Sequence, residues 1–295
     1  MKLYAPEYYE KFKCIADKCT HSCCTDWQIY VDEETLRYHK SSEHPVSCEL
    51  VSLIERDSDG SYIRLSEDGR CPFLDECGLC RIHSALGEEK TSRICREHPR
   101  FYHRIGERYE MGIGAVCEVA ARLILDSDMP DLKLETERDT EEISRTEYDA
   151  TAEREYIFDV IKSSDSIVEV TRKLLEKYEI STDIFASDEL SDTILDLELL
   201  DECNREILEK TAINTVKCKD IFAKHFLFYL IFRHVSTAES YDNLRVNLAF
   251  AITLTNVLCS ADDDQVYDVA RMISEEIEYS EDNTAALKFS LFCLI

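Results

Sequence analysis

The second half of this 295-residue sequence has no glycine and no proline. All seven glycines lie between Gly60 and Gly114, and all five prolines between Pro6 and Pro130. Because these two residues interrupt regular structure most strongly, residues 131–295 are predicted to be helical throughout. Apolar residues recur there every three or four positions from Leu190 to Leu208, as on one face of a helix. Further helices are predicted near 153–163, 166–179, 217–235, 243–260, 264–278 and 283–294.

Positive charge is also scarce. The formal net charge is −27, and residues 126–295 hold 17 basic against 39 acidic side chains. Such a surface repels nucleic-acid phosphates and anionic lipids, which excludes both as general partners and favours a basic protein partner. A purely solubilising acidic surface explains the same charge.

Long apolar runs are missing as well. The longest, "FLFYLIF" at 226–232, is far too short to cross a bilayer and is typical of a buried core. The first residues, "MKLYAPEYYEKFKC", lack the apolar centre of a signal peptide. The sequence therefore predicts a cytoplasmic protein without a membrane segment, in a compartment that keeps thiols reduced.

The first 125 residues are different in character. "YIRLSEDGRCPFL" and "FYHRIGERYEMGI" each predict short strands joined by a turn, at Asp68-Gly69 and at Gly106-Glu107. "DEETLRYHK" and "AVCEVAARLIL" predict helices. We expect a mainly α protein with three parts: a cysteine-rich α+β metal-binding region with short hairpins over 1–125, an acidic linker over 126–150, and a helical bundle over 151–295.

Ten of the fourteen cysteines fall in the first 117 residues, mostly in polar loops. The spacings are C-x4-C-x3-C-C, then C-x5-C-x2-C, followed by two separate cysteines. Thiolates bind soft or borderline metals well, and short loops gather them at little entropic cost. The pattern predicts a metal site, with zinc and an iron–sulfur cluster both open. Four further cysteines fit buried apolar helix faces instead: Cys203, Cys218, Cys259 and Cys293.

Three segments carry a resemblance to a known family. "FKCIADKCTHSCCTDWQIYVDEET", "CPFLDECGLCRIHSALGEEKTSRICREHPR" and "GAVCEVAARLIL" resemble the flagellin lysine-N-methylase (FliB) family, within a broader group of cysteine-rich proteins that chelate zinc or iron. The resemblance covers about the first 125 residues. Thr25-Asp26 stand where the family often has a glycine before the tryptophan, and His98 where a tyrosine often precedes the proline.

The resemblance implies transfer of a methyl group from S-adenosyl-L-methionine to lysine side chains of flagellin or a similar protein. It also implies an iron–sulfur cluster, of the 4Fe-4S type, with zinc as the alternative. Cys48 and Cys77 do not fall on family positions. The cysteines that do, and that become candidate metal ligands, are Cys14, Cys19, Cys23, Cys24, Cys71, Cys80, Cys95 and Cys117.

Three further residues are candidates for binding the substrate or the methyl donor. Trp27, the only tryptophan, is either such a contact or a core residue beside the metal site. Arg96 and Arg100 flank the Cys95 motif and are either a clamp for a carboxylate or a balanced surface. The candidates for the catalytic base are the 61 carboxylates and 15 tyrosines, and the sequence singles out none of them.

Two alternatives to the methylase remain open at this stage. One is a metal-binding or electron-carrying module without methyl transfer, and the other is a structural zinc protein whose helical half docks a partner. No G-x-G-x-x-G follows a predicted strand, so a methylase of this sequence is not expected to use the Rossmann methyltransferase fold.

Overall fold

The computed structural model describes residues 2–25, 27–137, 148–210 and 216–295. These residues form two compact units. Lys13–Arg100 make up the first, which we call the cysteine unit. Met1–Phe12 and Phe101–Ile295 together make up the second, which we call the helical unit.

Most described residues are helical, which confirms the mainly α prediction. The α-helices are α1 Glu33–Ser41, α2 Pro45–Ser52, α3 Arg81–Leu86, α4 Arg93–Glu97, α5 Glu118–Asp126, α6 Thr151–Ser163, α7 Ile167–Lys177, α8 Asp188–Leu195, α9 Arg205–Lys210, α10 Asp220–His234, α11 Tyr241–Cys259, α12 Val266–Ile273 and α13 Glu281–Leu294. The strands are β1 Lys2–Pro6, β2 Ile29–Tyr30, β3 Ile54–Arg56, β4 Ser61–Ile63, β5 Arg100–Ile105, β6 Arg108–Ile113 and β7 Leu132–Glu137.

A four-stranded sheet with the order β5-β6-β1-β7 lies in the helical unit. The predicted hairpin at Gly106-Glu107 is confirmed, because β5 and β6 are neighbours joined by these two residues. Gly106 has φ +53°, a left-handed conformation that glycine adopts without strain. β1 pairs parallel with β6 and antiparallel with β7. The first residues of the chain thus form an internal strand.

The core of the helical unit is built around α10 and α11. "FLFYLIF" lies in α10 with every side chain buried, as the sequence predicts for a core segment. Phe228 stacks on Phe158 of α6 with ring centroids 4.0 Å apart. No helix among the described residues is long and apolar enough to span a membrane.

The helix predicted from Leu190 to Leu208 is interrupted in the structure. α8 ends at Leu195, and helix resumes only with a 3-10 turn at Glu202–Asn204 before α9. A buried carboxylate explains the interruption, since Glu276 accepts hydrogen bonds from the backbone of Leu200 (2.6 Å) and Asp201 (3.1 Å). These amide groups are therefore satisfied outside a helix.

The acidic linker predicted over 126–150 is only partly described. Its residues 138–147 lie outside the described residues, and residues 132–137 form β7. The domain boundaries at 125 and 150 stay predictions.

The cysteine unit packs α1 and α2 with a three-stranded sheet of order β2-β4-β3. "DEETLRYHK" forms α1 as predicted, capped by the Asp32 carboxylate on the amide of Thr35. The turn at Asp68-Gly69 is present, but the hairpin predicted around it is wrong. β4 pairs with β2 and β3 instead, and Arg70 forms a β-bridge with Thr25.

Candidate functional site

Six thiols of the cysteine unit lie close enough to interact electrostatically. Cys23 and Cys24 share a hydrogen bond between their thiols, and Cys14 and Cys95 act electrostatically on Cys23. The thiols of Cys24, Cys71 and Cys80 act electrostatically on Cys95 in turn. The structure therefore brings six of the eight predicted ligands into one neighbourhood, which we call the thiol cluster: Cys14, Cys23, Cys24, Cys71, Cys80 and Cys95.

Backbone pairing brings the two cysteine motifs together. The amide of Cys71 donates to the carbonyl of Cys24 at 2.8 Å, directly beside the Thr25–Arg70 bridge. A short stretch of paired backbone thus places the double cysteine against the start of the second motif.

A tight loop returns the chain from Cys71 to Cys80. Asp75 accepts hydrogen bonds from the amides of Cys77 and Leu79, both at 2.9 Å, and Gly78 supplies a left-handed residue with φ +79°. Cys80 then precedes α3 as its N-cap. Cys77 is exposed in the middle of this loop.

Cys95 lies in α4, whose start is fixed by α1. The amide of Arg93 donates to the Asp32 carboxylate at 2.8 Å, and the same carboxylate caps α1. One acidic side chain therefore joins the beginnings of two helices and sets the position of the third cysteine segment.

Burial and the nearby thiols raise the pKa of most thiols in the cluster. Desolvation and then the neighbouring thiols raise the pKa of Cys71 to about 11 and that of Cys95 to about 12. The pKa of Cys23 rises because its thiol donates to Cys24, whose own pKa falls to about 7 for the same reason. At neutral pH the cluster holds mostly neutral thiols, since several adjacent thiolates would repel one another.

The two other predicted ligands are Cys19 and Cys117. The thiol of Cys19 donates to the carbonyl of His21 at 3.1 Å. Cys117 is the residue before α5, in the helical unit, where it lies near Tyr279. Cys48, which the family pattern leaves out, is exposed at 3.9 Å from the carbonyl of Ser42.

The thiol cluster has the right chemistry for a soft metal but not a closed arrangement. Within residues 2–25, 27–137, 148–210 and 216–295, no three cysteine, histidine or acidic side chains converge as the ligands of one metal ion do. The thiols of the cluster are neighbours, but three of them do not surround one point there.

Trp27, Arg96 and Arg100 all make contacts within the cysteine unit. Trp27 is half-buried against the small core and donates from Nε1 to the carbonyl of Cys23 at 2.6 Å. Arg96 donates to the carbonyls of Thr91 and Glu89, and Arg100 donates to the carbonyl of Arg96 at 3.4 Å. The tryptophan thus braces the double-cysteine segment directly.

Sequence reasoning missed a first buried ion pair in the helical unit. Glu110 of β6 and Arg154 of α6 are both fully buried, with nitrogen–oxygen distances of 2.5 and 2.9 Å. His103 adds a third contact to Glu110 at 3.0 Å. The signal was present, because Arg154 lies three, four and seven residues before buried apolar residues of the same helix.

A second buried network surrounds Glu278, also unpredicted. Its carboxylate accepts from Tyr229 Oη at 2.8 Å and contacts His234 Nε2 at 2.7 Å, while Arg233 Nε lies 3.5 Å away. Despite burial, these partners lower the pKa of Glu278 to about 2. Glu278 is the last residue of a π-helical stretch, Ser274–Glu278. π-Helices are rare in proteins, and those that occur often lie at functional sites.

The chain has relatives among known proteins by sequence. No protein-family model matches the chain, and no solved structure matches it. The chain is 29% identical over 130 residues to a lysine-N-methylase of Salmonella typhimurium, an alignment covering 42% of this chain and 32% of that protein. A lysine-N-methylase of Salmonella choleraesuis matches to the same extent.

The flagellar biosynthetic protein FliU of Salmonella muenchen is also 29% identical over 130 residues, and 77% of its length is covered. The chain spans about a third of the length of the lysine-N-methylases that it matches. Over these 130 residues, the resemblance to the flagellin lysine-N-methylase family predicted from the sequence is confirmed.

Proposed function

We propose that this protein methylates lysine side chains of flagellin or a flagellin-like protein, with S-adenosyl-L-methionine as the methyl donor. The observation that carries the proposal is the similarity of 130 residues to lysine-N-methylases. The thiol cluster supports it, because the resemblance predicted from the sequence rests on the motifs that contain these cysteines.

The cofactor in this proposal is an iron–sulfur cluster held by the cysteine unit. Such a cluster takes four protein thiolates, and the thiol cluster offers six candidates. The ligands we favour are Cys71 and Cys80, at the two ends of one loop, and Cys95 of α4, with the fourth from the double cysteine. When bound, the cluster supplies a Lewis-acidic iron or an electron, and it satisfies thiolates that otherwise repel one another.

The chain's own residues perform the remaining tasks. A free lysine amine has a pKa of about 10.4, so at neutral pH the substrate arrives as a cation and must lose a proton before attack. The net charge of −27 attracts such a cation over long range. Encounter should therefore slow as salt shortens the screening length from about 10 Å at 0.1 M to about 3 Å at 1 M.

The test is methyl transfer by the purified, metal-loaded protein. We expect incubation with S-adenosyl-L-methionine and flagellin to add mass in methyl-sized steps, mapped to lysines by peptide mass spectrometry. Cys80→Ser should abolish the transfer, whereas Cys203→Ser, outside the thiol cluster, should not. The burial predicted for Cys203 and Cys293 is wrong, since both are exposed, while Cys218 and Cys259 are buried as predicted. No transfer to flagellin or to another lysine-rich surface protein, with metal and donor both bound, would contradict the proposal.

A metal-binding module without methyl transfer is the second candidate, and the length of the match favours it. The chain covers only about a third of the lysine-N-methylases, so it is compatible with a metal-binding part of such a protein. Anaerobic purification separates the possibilities. A brown protein with iron and sulfide supports the iron–sulfur cluster, and a colourless one with stoichiometric zinc supports a structural zinc site.

A further inference from the structure

Two buried thiols meet in the helical unit, in a part of the chain well after the thiol cluster. Cys218 lies just before α10 with 4% of its surface exposed, and Cys259 is the last residue of α11 with 3% exposed. Both belong to the main apolar core, and their thiols share a hydrogen bond. The proposed metal site uses neither of them.

Hydrogen bonds on both sides of Cys218 hold it against the end of α11. The amide of Lys217 donates to the carbonyl of Cys259 at 2.7 Å. The amide of Lys219 donates to one oxygen of the Asp263 carboxylate at 2.9 Å, and its ammonium lies 2.9 Å from the other oxygen. The residues before and after Cys218 are thus both tied to residues at or just after the end of α11, which keeps the two thiols beside each other.

This arrangement meets the structural requirement for a disulfide. Two cysteines can be bridged only where their backbones lie close and their side chains point toward each other, because the sulfur–sulfur bond is about 2.05 Å long. The backbone hydrogen bond beside Cys218 and the hydrogen bond between the thiols indicate both conditions. Cys218 and Cys259 are therefore candidates for a reversible bridge.

The hydrogen bond between the thiols makes them chemically unequal. The pKa of Cys218 is lowered by the hydrogen bond that it accepts from Cys259, although burial and the carboxylates of Asp220 and Asp263 oppose this shift. The same hydrogen bond, together with burial, raises the pKa of Cys259. The thiolate is the reactive form of cysteine, so Cys218 is the thiol that attacks an oxidant first.

The position of the pair selects the size of the oxidant. Lys217 and Lys219 are both exposed, so the backbone on either side of Cys218 lies at the surface, while the sulfur atoms are buried. Reaction of a cysteine with an oxidant depends on access as well as on thiolate character. We therefore expect a small hydroperoxide to reach the pair more readily than a bulky thiol or disulfide does.

We propose that Cys218 and Cys259 form a disulfide on exposure to hydrogen peroxide, and that this bond is a reversible latch between the start of α10 and the end of α11. The Cys218 thiolate attacks one oxygen of the peroxide, the O–O bond breaks, and the hydroxide that leaves takes up a proton to become water. The Cys259 sulfur then attacks the sulfenic sulfur of Cys218, whose hydroxyl leaves with the Cys259 proton as a second water. Two thiols and one peroxide thus yield one disulfide and two waters, and a dithiol reductant restores both thiols by exchange.

The latch joins the two helices around which the core of the helical unit is built. A disulfide restricts the unfolded chain and so favours the folded state, more strongly as the closed loop grows longer. For a closed loop of about 40 residues, we expect the amides of α10 and α11 to exchange with solvent about 10-fold more slowly, or slower still, once the bond has formed.

The test detects the linked pair directly. The metal-loaded full chain receives a short pulse of hydrogen peroxide that is ended with catalase, and the remaining thiols are blocked with N-ethylmaleimide under denaturing conditions. Peptide mass spectrometry of an unreduced digest should show the peptides of Cys218 and Cys259 linked, and dithiothreitol added before blocking should abolish the link. Because this pair is identified by its own mass, oxidation of thiols in the cysteine unit does not interfere.

Two alanine variants test the order of the steps. In Cys259→Ala the oxidised Cys218 has no partner, so its sulfenic acid should persist and react with dimedone. In Cys218→Ala no dimedone adduct should form at Cys259. Cys203→Ser is the control and should keep the linked pair. Circular dichroism checks that each variant is folded.

Each result decides for or against the latch. Recovery of Cys218 and Cys259 as blocked, unlinked thiols from peroxide-treated wild type would overturn it. A dimedone adduct at Cys259 in Cys218→Ala, with none at Cys218 in Cys259→Ala, would overturn the role of Cys218 as the attacking thiol. Equal hydrogen exchange of α10 and α11 in oxidised and reduced wild type would show that the bond does not hold these helices.

Discussion

The two units of this protein use different means to hold a chain together. The helical unit buries a large continuous apolar cluster with two ion pairs inside it. In the described part of the cysteine unit the buried apolar cluster has nine members, one of them Cys71. A core of that size stabilises a unit of this length only weakly, so small domains commonly rely on a metal or cross-links. We therefore propose that a metal held by the thiols stabilises the cysteine unit, as apolar packing stabilises the helical unit.

Removing metal should produce the largest difference in stability between the two units. For structural metal sites the binding free energy is folding free energy, of about 10–16 kcal/mol for zinc-finger peptides. Cys71→Ser or Cys95→Ser should abolish metal retention and expose the amides of the cysteine unit to hydrogen exchange, while α10 and α11 stay protected. Cys203→Ser is the control. Equal metal loss from Cys203→Ser and Cys80→Ser would refute this division of labour.

Breaking the Glu110–Arg154 pair should destabilise the helical unit and leave metal binding by the cysteine unit unchanged. Arg154→Met leaves a buried carboxylate without its partner, which costs about 3–5 kcal/mol of unfolding free energy in comparable pairs. Urea unfolding followed by far-ultraviolet circular dichroism measures the loss. Combining the change with Glu110→Gln should restore part of it, because the stranded charge is gone. Metal content should be unchanged in both variants.

Acid should destabilise the helical unit in two stages. The pKa of His234 is lowered to about 4, so as the pH falls below about 6.5 the unfolded chain takes up a proton first and stability is lost. The pKa values of Glu110 and Glu278 are lowered to about 2, so their contribution is present above about 4.5 and disappears as the pH falls toward 2.

His234→Gln separates these stages, because glutamine can donate to Glu278 without titrating. Melting temperatures at pH 7.5, 6 and 5 should fall less steeply for the variant. The difference corresponds to at most about 3 kcal/mol across that range. Identical slopes for variant and wild type would assign the acid sensitivity to other groups, His103 first, since burial lowers its pKa too.

The smallest effect should come from the carboxylate that positions Cys95. Asp32→Ala removes the cap of α1 and the contact to the Arg93 amide, at a cost of about 1 kcal/mol for the cap. Ser280→Ala removes the cap of α13 and is the matched change in the helical unit. Metal affinity should fall only for Asp32→Ala. A similar fall in both variants would show that α4 is not held by this contact.

Local sequence signals predicted what depends on neighbours along the chain. Periodic apolar residues predicted α6, α7, α10 and α11, and a two-residue turn predicted the β5–β6 hairpin. The interruption after Leu195 was missed because Glu276, about 75 residues later, supplies the hydrogen bonds that replace a helix.

The strand order of the helical unit explains how the chain accommodates an additional module. β1 runs parallel to β6, and β5 runs back along β6, so the end of β1 and the start of β5 lie at the same end of the sheet. One strand separates them, a distance of about 10 Å at about 4.8 Å per strand. The cysteine unit is thus an insertion whose two attachment points are neighbours. Joining Phe12 to Arg100 with a few flexible residues would excise it while leaving every strand of this sheet in place.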